Sequence, residues 1–187
     1  QDTASGEYSL AMGYNTLASE YGSIAIGYEA EATGHNSTAM GSHTIASGSV
    51  SYTTGRGSVA SGYCSAAMGR ETVASGDYAT ALGWKTTAEI GHAPTAMGGL
   101  TTASGWYSTA MGYGSVASNS YSTAMGRESI ANGDCSTAMG RETTASGDYA
   151  TAMGRTSVAS GDYSTAMGYA KAIGTGSIAG GASGSIA

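Results

Sequence analysis

The chain has few of the residues that build an ordinary globular core or a charged binding surface. Among its 187 residues there is no Phe and only one Pro, and charged residues make up 11%. Few large side chains are therefore available for a thick core, yet the chain is neither polar nor charged enough to be disordered. Its 31 Gly, placed in a strict order among other small residues, indicate thin and closely stacked layers instead.

Positive charge and long apolar runs are also scarce. Lys and Arg total 7 and the net charge is −6, so the chain lacks the basic surface that binds nucleic acid. No stretch approaches the roughly 18 apolar residues of a transmembrane helix, so we expect no membrane contact within this segment.

A 14-residue repeat dominates the sequence. The unit from Gly126 to Met139 aligns over the unit from Gly140 to Met153, and each unit has two halves of the form Gly-x-x-(Ser/Thr)-x-Ala-x. One residue is inserted near 89–94 and one is deleted near 170–174. We therefore predict a single repeat domain over 1–187, made of about twelve to thirteen coils.

Glycine at every seventh position decides the fold class. Each interior helix Gly costs roughly 1 kcal/mol relative to Ala, which argues against a coiled coil. Short strands and tight turns fit better: 136–140 and 143–147 are predicted strands, and 141–142 and 148–149 are predicted turns. Coils stacked about 4.8 Å apart would form a rod roughly 60 Å long. The prediction is an all-β parallel solenoid.

Strand alternation sorts the side chains of each coil into two faces. In 136–140 the residues Ser, Ala and Gly point one way, and Thr and Met point the other way. We interpret the small set as the interior, where its hydroxyls would bond to the backbone or to each other. The competing interpretation places Met and Val inside and the small residues outside.

One position of the repeat holds an apolar column that contains every methionine of the chain. Outside a roll filled by small residues, such a stripe favours rods packed side by side around an axis. The alternative is that Met fills the core of the roll itself. We predict that the column forms a subunit interface, with these members: Met12, Ile26, Met40, Met68, Leu82, Met97, Met111, Met125, Met139, Met153 and Met167.

The turns carry aromatic and acidic columns. An aromatic ladder could face a protein or glycan ligand, or its rings could simply stack on one another. Asp134, Asp148 and Asp162 could chelate a cation such as Ca²⁺, although a solvated turn is the favoured interpretation. The predicted ladder consists of Tyr78, Trp106, Tyr107, Tyr121, Tyr149 and Tyr163.

No catalytic or metal-binding constellation stands out. His35, His43 and His92 occupy different registers and have no Cys or His at ligand spacing. No Gly-x-Ser-x-Gly elbow with a paired His is evident, and periodic glycines carry no phosphate-loop signal. We expect no enzyme activity, no cofactor and no metal.

The repeat resembles the head repeat of YadA-like trimeric autotransporter adhesins, which also occurs in phage fibres. The resemblance rests on Asn-Ser-Thr-Ala-Met-Gly at 36–41 and Gly-Ser-Ile-Ala-Ile-Gly at 22–27, which match the family's Asn-Ser-Val-Ala-Ile-Gly on the same spacing. It implies a left-handed parallel β-roll, assembled as a homotrimer with the apolar motif positions at the centre. Here the family's Asn is mostly Tyr.

By this resemblance we expect an extracellular adhesin head or fibre segment on a cell surface or a virion, with a host or surface protein or glycan as ligand. A passive structural filament or viral tail-fibre spacer is the alternative, and an ice-binding solenoid with flat Thr arrays is a weaker one. Because neither end resembles a polar cap, we also expect a longer array or end-to-end stacking into a filament.

Overall fold

The computed structural model describes residues 1–89, 91–181 and 186. These residues form two compact units, Gln1–Ala93 (unit 1) and Pro94–Ala187 (unit 2). Both units consist of strands and turns, and no helix among the described residues is long and apolar enough to cross a membrane. The predicted insertion near 89–94 includes residue 90, which lies outside the described residues.

Each unit alternates long and short strands. The strands of unit 1 are β1 (Thr3–Ala4), β2 (Leu10–Tyr14), β3 (Leu17–Ala18), β4 (Ile24–Tyr28), β5 (Glu31–Ala32), β6 (Thr38–Ser42), β7 (Ile45–Ala46), β8 (Tyr52–Arg56), β9 (Val59–Ala60), β10 (Ala66–Arg70), β11 (Val73–Ala74), β12 (Thr80–Trp84) and β13 (Thr87–Ala88). The strands of unit 2 are β14 (Thr95–Gly99), β15 (Thr102–Ala103), β16 (Thr109–Tyr113), β17 (Val116–Ala117), β18 (Thr123–Arg127), β19 (Ile130–Ala131), β20 (Thr137–Arg141), β21 (Thr144–Ala145), β22 (Thr151–Arg155), β23 (Val158–Ala159), β24 (Thr165–Gly168), β25 (Lys171–Ala172) and β26 (Ile178–Gly181).

Every strand pairs in parallel with the equivalent strand of the next coil. In unit 2, β18 pairs with β20 so that Met125 lies opposite Met139, a spacing of 14 residues. Even-numbered strands form one sheet of the unit and odd-numbered strands form the other. The fold is therefore an all-β parallel solenoid with 14-residue coils, as predicted from the repeat.

Two places in the chain depart from the 14-residue register. In unit 1 an isolated parallel bridge joins Asp77 to His92, one residue further along than the regular step. In unit 2, Val158 lies opposite Lys171, one residue short of it, and β26 inherits the shorter step. In unit 2 the deletion falls in the turn between β24 and β25, so Thr165 of β24 still lies opposite Ile178 of β26.

The second strand of each coil is shorter than the sequence suggested. The prediction for 143–147 was a five-residue strand, but β21 spans only Thr144–Ala145. Its ladder ends because the amides of Ser146 and Gly147 both donate to the carbonyl of Ala159, at 2.9 and 3.4 Å. Two donors that share one acceptor cannot continue an extended ladder, so the chain bends into the turn at this point.

The interior consists of small residues, as we predicted from the alternation. Ala124, Ala138 and Ala145 are fully buried, and so are the Ser and Thr residues that begin each half-repeat. Met139 and Thr137 are half-buried and lie on the opposite face of the same strand. The competing interpretation, with Met and Val inside, is wrong because the two strands of a coil lie too close to hold more than these small side chains.

Most buried hydroxyls find the partners that were predicted for them. Ser136 donates its hydroxyl to the Gly133 carbonyl at 2.7 Å, and Thr143 donates to the Ser129 hydroxyl of the preceding coil at 3.0 Å. Thr53 is an exception, since it replaces Ala in the interior column and its fully buried hydroxyl has no partner. Backbone carbonyls and hydroxyl ladders thus satisfy part of the polar core, while at least eight buried hydroxyls, that of Thr53 among them, have no partner among the described residues.

Both turns of a coil contain a residue with left-handed backbone that is not glycine. In the coil of β20, Glu142 has φ 56° and Tyr149 has φ 58°. Their amides donate to carbonyls of the preceding coil, from Glu142 to Arg127 at 2.7 Å and from Tyr149 to Asp134 at 2.8 Å. This conformation costs roughly 1–2 kcal/mol for an L-residue, and the hydrogen bonds between coils hold it in place.

Candidate interaction surfaces

The outward face of the even-numbered strands carries the predicted apolar column in register. In unit 2, Met97, Met111, Met125, Met139, Met153 and Met167 follow one another as direct partners on β14 to β24. In unit 1 the column is Met12, Ile26, Met40, Thr54, Met68 and Leu82, on β2 to β12. Most of these side chains are half-buried by their neighbours in the column.

A threonine column lies beside the methionines on the same face. In unit 2 it is unbroken: Thr95, Thr109, Thr123, Thr137, Thr151 and Thr165. We call the two columns together the methionine face. It carries no charge, and in a single protomer most of its side chains are only half-buried. Such a surface is typical of a protein interface.

The outward face of the odd-numbered strands has a different chemistry. In unit 2 its first column is Thr102, Val116, Ile130, Thr144, Val158 and Lys171, with exposed Ser or Asn mostly two residues further along each strand. The charge and the exposed hydroxyls make this face compatible with water. The two faces of one roll therefore differ enough to separate an interface from a solvated surface.

The first turn of a coil, which follows the long strand, forms a basic edge. In unit 2 we call Arg127, Arg141 and Arg155 the arginine edge. The Nε atoms of Arg127 and Arg141 contact Oε1 of Glu128 and Glu142 at 3.2 and 3.0 Å. Arg155 is followed by Thr156, and its Nη1 lies 3.2 Å from the hydroxyl of Tyr169. The outermost guanidinium of the edge thus has no carboxylate in its own turn.

The second turn of a coil, which follows the short strand, forms an acidic edge. We call Asp134, Asp148 and Asp162 the aspartate edge of unit 2. The carboxylate of Asp148 accepts the amide of Asp134 at 2.9 Å, and the carboxylate of Asp162 accepts the amide of Asp148 at 3.1 Å. Asp148 and Asp162 therefore each cap the turn of the preceding coil through Oδ1, whereas Oδ2 of Asp134 accepts the thiol of Cys135 at 3.7 Å. Among the described residues, no group of three or more His, Cys, Asp or Glu is arranged to hold a metal ion.

The predicted aromatic ladder is broken into separate stacks. In unit 2, Tyr107 stacks on Tyr121 at 5.4 Å, and Tyr149 stacks on Tyr163 at 5.0 Å with rings 1° from parallel. Cys135 occupies the same turn position between the two stacks. Trp106 precedes Tyr107 in its turn. In unit 1, Tyr78 packs edge-on against Tyr63 and His92, at 5.5 and 4.9 Å.

Charge and burial around Cys135 change the titration of its neighbourhood. Burial, followed by the carboxylates of Asp134 and Asp148, raises the pKa of the Cys135 thiol. The pKa of Tyr149 is raised as well, first by the Cys135 side chain, then by Tyr163 and Asp134. Both groups therefore stay neutral at neutral pH, so this part of the acidic edge does not supply a reactive thiolate.

Unit 1 holds a second aromatic stack, and sequence reasoning missed only the histidine contacts beside it. Tyr14 stacks on Tyr28 at 5.0 Å in the first turns of unit 1, and Tyr28 contacts His43 at 5.3 Å. His43 Nε2 lies 3.0 Å from Oε2 of Glu29. Tyr14 and Tyr28, and likewise Glu29 and His43, are 14 residues apart, so the repeat period carried the signal for these two contacts.

Family comparison agrees with this repeat architecture. A family model described as YadA head domain repeat, two copies, matches residues 4–30, 18–44, 32–49, 65–86, 95–115, 103–129, 117–143, 131–156 and 145–170. These matches cover well over half of the chain. No curated protein matches it.

Proposed function

Because the chain belongs to the family of YadA head domain repeats, we propose that it is one protomer of a trimeric surface fibre, with its methionine face at the threefold axis. The observation that carries this proposal is the uncharged, in-register face of Met and Thr on the long strands. A self-matching stripe along a rod suits rotation about an axis parallel to that rod. The family also implies a left-handed roll, a cell-surface or virion location and no catalysis.

The apolar area supports association of this kind. Burying a Met side chain completely is worth roughly 1.5–3 kcal/mol, so the five half-buried methionines of unit 2 together with the exposed Met167 would contribute on the order of 5–9 kcal/mol per protomer. Association costs about 4–15 kcal/mol, depending on how the lost freedom is counted. Unit 2 alone would therefore give a marginal trimer, and the column of unit 1 would add to it.

A matched pair of substitutions tests the proposal. Met139→Asp places a charge on the methionine face, and Thr144→Asp places the same charge on the odd-strand face of the same coil. We expect wild type and Thr144→Asp to sediment as trimers at micromolar concentration, and Met139→Asp to sediment as monomer, because three unpaired carboxylates would meet at the axis. A wild-type chain that is monomeric at that concentration would contradict the proposal.

We propose that the fibre segment acts as an adhesin head, with the second-turn aromatic residues as the ligand surface. Tyr163 is 64% exposed and Tyr121 is 58% exposed, so their ring edges and hydroxyls could reach a glycan or a protein. The test is binding to immobilised glycans and extracellular matrix proteins by wild type and by Tyr163→Ala, with Tyr14→Ala in unit 1 as the control. Loss of binding in Tyr163→Ala alone supports the adhesin proposal.

A passive fibre spacer is the second candidate, and the ring stacking favours it. Tyr149 and Tyr163 use one ring face on each other, which leaves less aromatic surface for a ligand. An absence of binding in every assay, from a chain that still forms trimers, supports the spacer. Ice binding is disfavoured because the regular Thr column lies on the face that we place at the axis. Thermal hysteresis in a solution of the protein would instead support ice binding.

A further inference from the structure

The two turns of one coil carry chemically matched residues at their first positions. Among the described residues, each coil whose second turn begins with Asp also has Arg at the start of its first turn. These coils contain Arg70 with Asp77, Arg127 with Asp134, Arg141 with Asp148, and Arg155 with Asp162.

Contacts within one protomer do not explain this match. The Arg141 Nε atom contacts Glu142 in its own turn, and Asp148 accepts an amide of the preceding coil. The two turns lie at opposite ends of a five-residue strand, which spans roughly 16 Å. No ion pair among the described residues joins the Arg and the Asp of one coil. Their pairing must therefore serve a contact outside the protomer.

We propose that the arginine edge of each protomer docks on the aspartate edge of its neighbour, coil by coil, within the trimer. This inference rests on the proposed threefold assembly. Rotation about an axis parallel to the coil stack brings the first-turn edge of one copy against the second-turn edge of the next, never like against like. A pure rotation also keeps equal coils at equal heights, so Arg141 meets the neighbour's copy of Asp148.

Both edges have charged atoms that the contacts within the protomer do not use, and these atoms suit such a pairing. Arg127 and Arg141 contact their glutamates through Nε, and about half of each arginine side chain is exposed to solvent. Asp148 and Asp162 cap backbone amides through Oδ1, and Oδ2 of each makes no hydrogen bond among the described residues.

The pairing would set the axial register of the three rolls. A methionine face with the same residues in successive coils fits equally well after a slip of one coil, as a periodic surface must. The charged coils of unit 2 occupy three consecutive positions, so a protomer that slips by one coil leaves one arginine and one aspartate unpaired at each of its two interfaces. Like-sign neighbours and unpaired charges disfavour the slipped assembly.

A double-mutant cycle on the trimer tests the inference. One variant carries Asp134→Asn, Asp148→Asn and Asp162→Asn, which removes the charges and keeps an oxygen at 148 and 162 to cap the backbone amides of residues 134 and 148. The second carries Arg127→Gln, Arg141→Gln and Arg155→Gln, and the third carries all six changes. Sedimentation equilibrium at low and high salt measures the monomer–trimer midpoint concentration, and circular dichroism checks that each variant keeps its strands.

We expect either triple variant to raise the midpoint concentration about tenfold or more at low salt, and to flatten its dependence on salt. The six-fold variant should be no weaker than either triple, because both remove the same pairs. Strictly additive effects, or an unchanged salt dependence, in chains that still trimerise would overturn the edge pairing and leave the trimer intact. A monomeric wild type would instead overturn the assembly on which the pairing rests.

Discussion

Replacing Gly140 by Ala tests how closely the backbones of successive coils approach. Gly140 ends the Ser-Thr-Ala-Met-Gly segment of its coil and has φ +136°, a conformation that L-residues rarely adopt. A Cβ added there would overlap the carbonyl oxygen of Gly154 in the next coil. Gly140→Ala therefore combines an unfavourable backbone conformation with a steric overlap. Other glycines of the chain carry only one of these two costs.

The expected loss follows from these two costs. A residue forced into a backbone region reserved for glycine costs about 1–3 kcal/mol, and overlap in a packed interior costs a further 1–3 kcal/mol. Gly140→Ala should therefore destabilise the protein by about 4 kcal/mol. The repeat agrees with this estimate, since glycine occupies the equivalent position in every described coil.

Three control substitutions in unit 2 separate the causes. Gly147→Ala meets the Gly161 carbonyl but has no positive φ, so it carries the overlap alone. Gly114→Ala has φ +63° and only the Glu128 Cγ at 3.4 Å, so it carries the backbone cost alone. Gly174→Ala carries neither cost, because its nearest atom is the Ser177 Cβ at 3.7 Å.

Urea unfolding followed by circular dichroism, at one fixed protein concentration, measures the four variants. We expect the order of loss to be Gly140→Ala, then Gly147→Ala, then Gly114→Ala, with Gly174→Ala close to wild type. The second-turn column tolerates Asn119 in place of glycine, which supports the smaller cost at Gly147. If Gly140→Ala lies within about 1 kcal/mol of Gly114→Ala, the stacking distance argued here is refuted.

Three further predictions concern buried or perturbed polar groups. Thr53→Val should stabilise the protein by about 1–2 kcal/mol, because it removes a buried hydroxyl that has no partner. Thr143→Val should destabilise the protein by about 1 kcal/mol, because it removes the hydroxyl that donates to Ser129. Equal urea midpoints for the two variants would contradict this prediction. The Asp2 carboxylate accepts hydrogen bonds from the Thr16 amide and hydroxyl at 3.0 and 2.9 Å, and these bonds lower the pKa of Asp2. The stability that Asp2 contributes should therefore be complete above the ordinary Asp pKa and should be lost as the pH falls through the lowered pKa. Amide exchange at Thr16 measures that loss, and an Asp2→Asn chain with the same pH profile would argue against it. Iodoacetamide should modify Cys135 more slowly in the folded chain than in urea at mildly alkaline pH, since burial raises the thiol pKa; equal rates would disprove the perturbation.

The choice between the two faces of the strand could be read from the sequence because it depends on a local rule. Side chains alternate along any strand, so Ala138 and Met139 must point in opposite directions, and only small residues fit between two closely spaced strands. The structure confirms this assignment at each described coil. The alternation also placed Thr137 beside Met139 on one face before any contact was known.

The position of the aromatic column could be predicted from the sequence, but the contacts between its rings could not. The column position of Tyr121, Tyr149 and Tyr163 follows from spacing, but whether rings touch depends on what fills each step between them. Cys135 interrupts the column, so Tyr149 stacks on Tyr163 and not on Tyr121. The spacing also did not indicate that one carboxylate oxygen of Asp148 accepts a backbone amide of the preceding coil.

The sequence by itself determined the period, the parallel stacking and the composition of the core. These properties come from the covalent order of small and large residues and from strand alternation, which need no distant partner. Only the tertiary structure decided that the second strand stops at Ala145 and that Glu142 and Tyr149 adopt left-handed backbone. Those outcomes depend on which carbonyl of the preceding coil each amide reaches, and that geometry exists only once the coils are stacked.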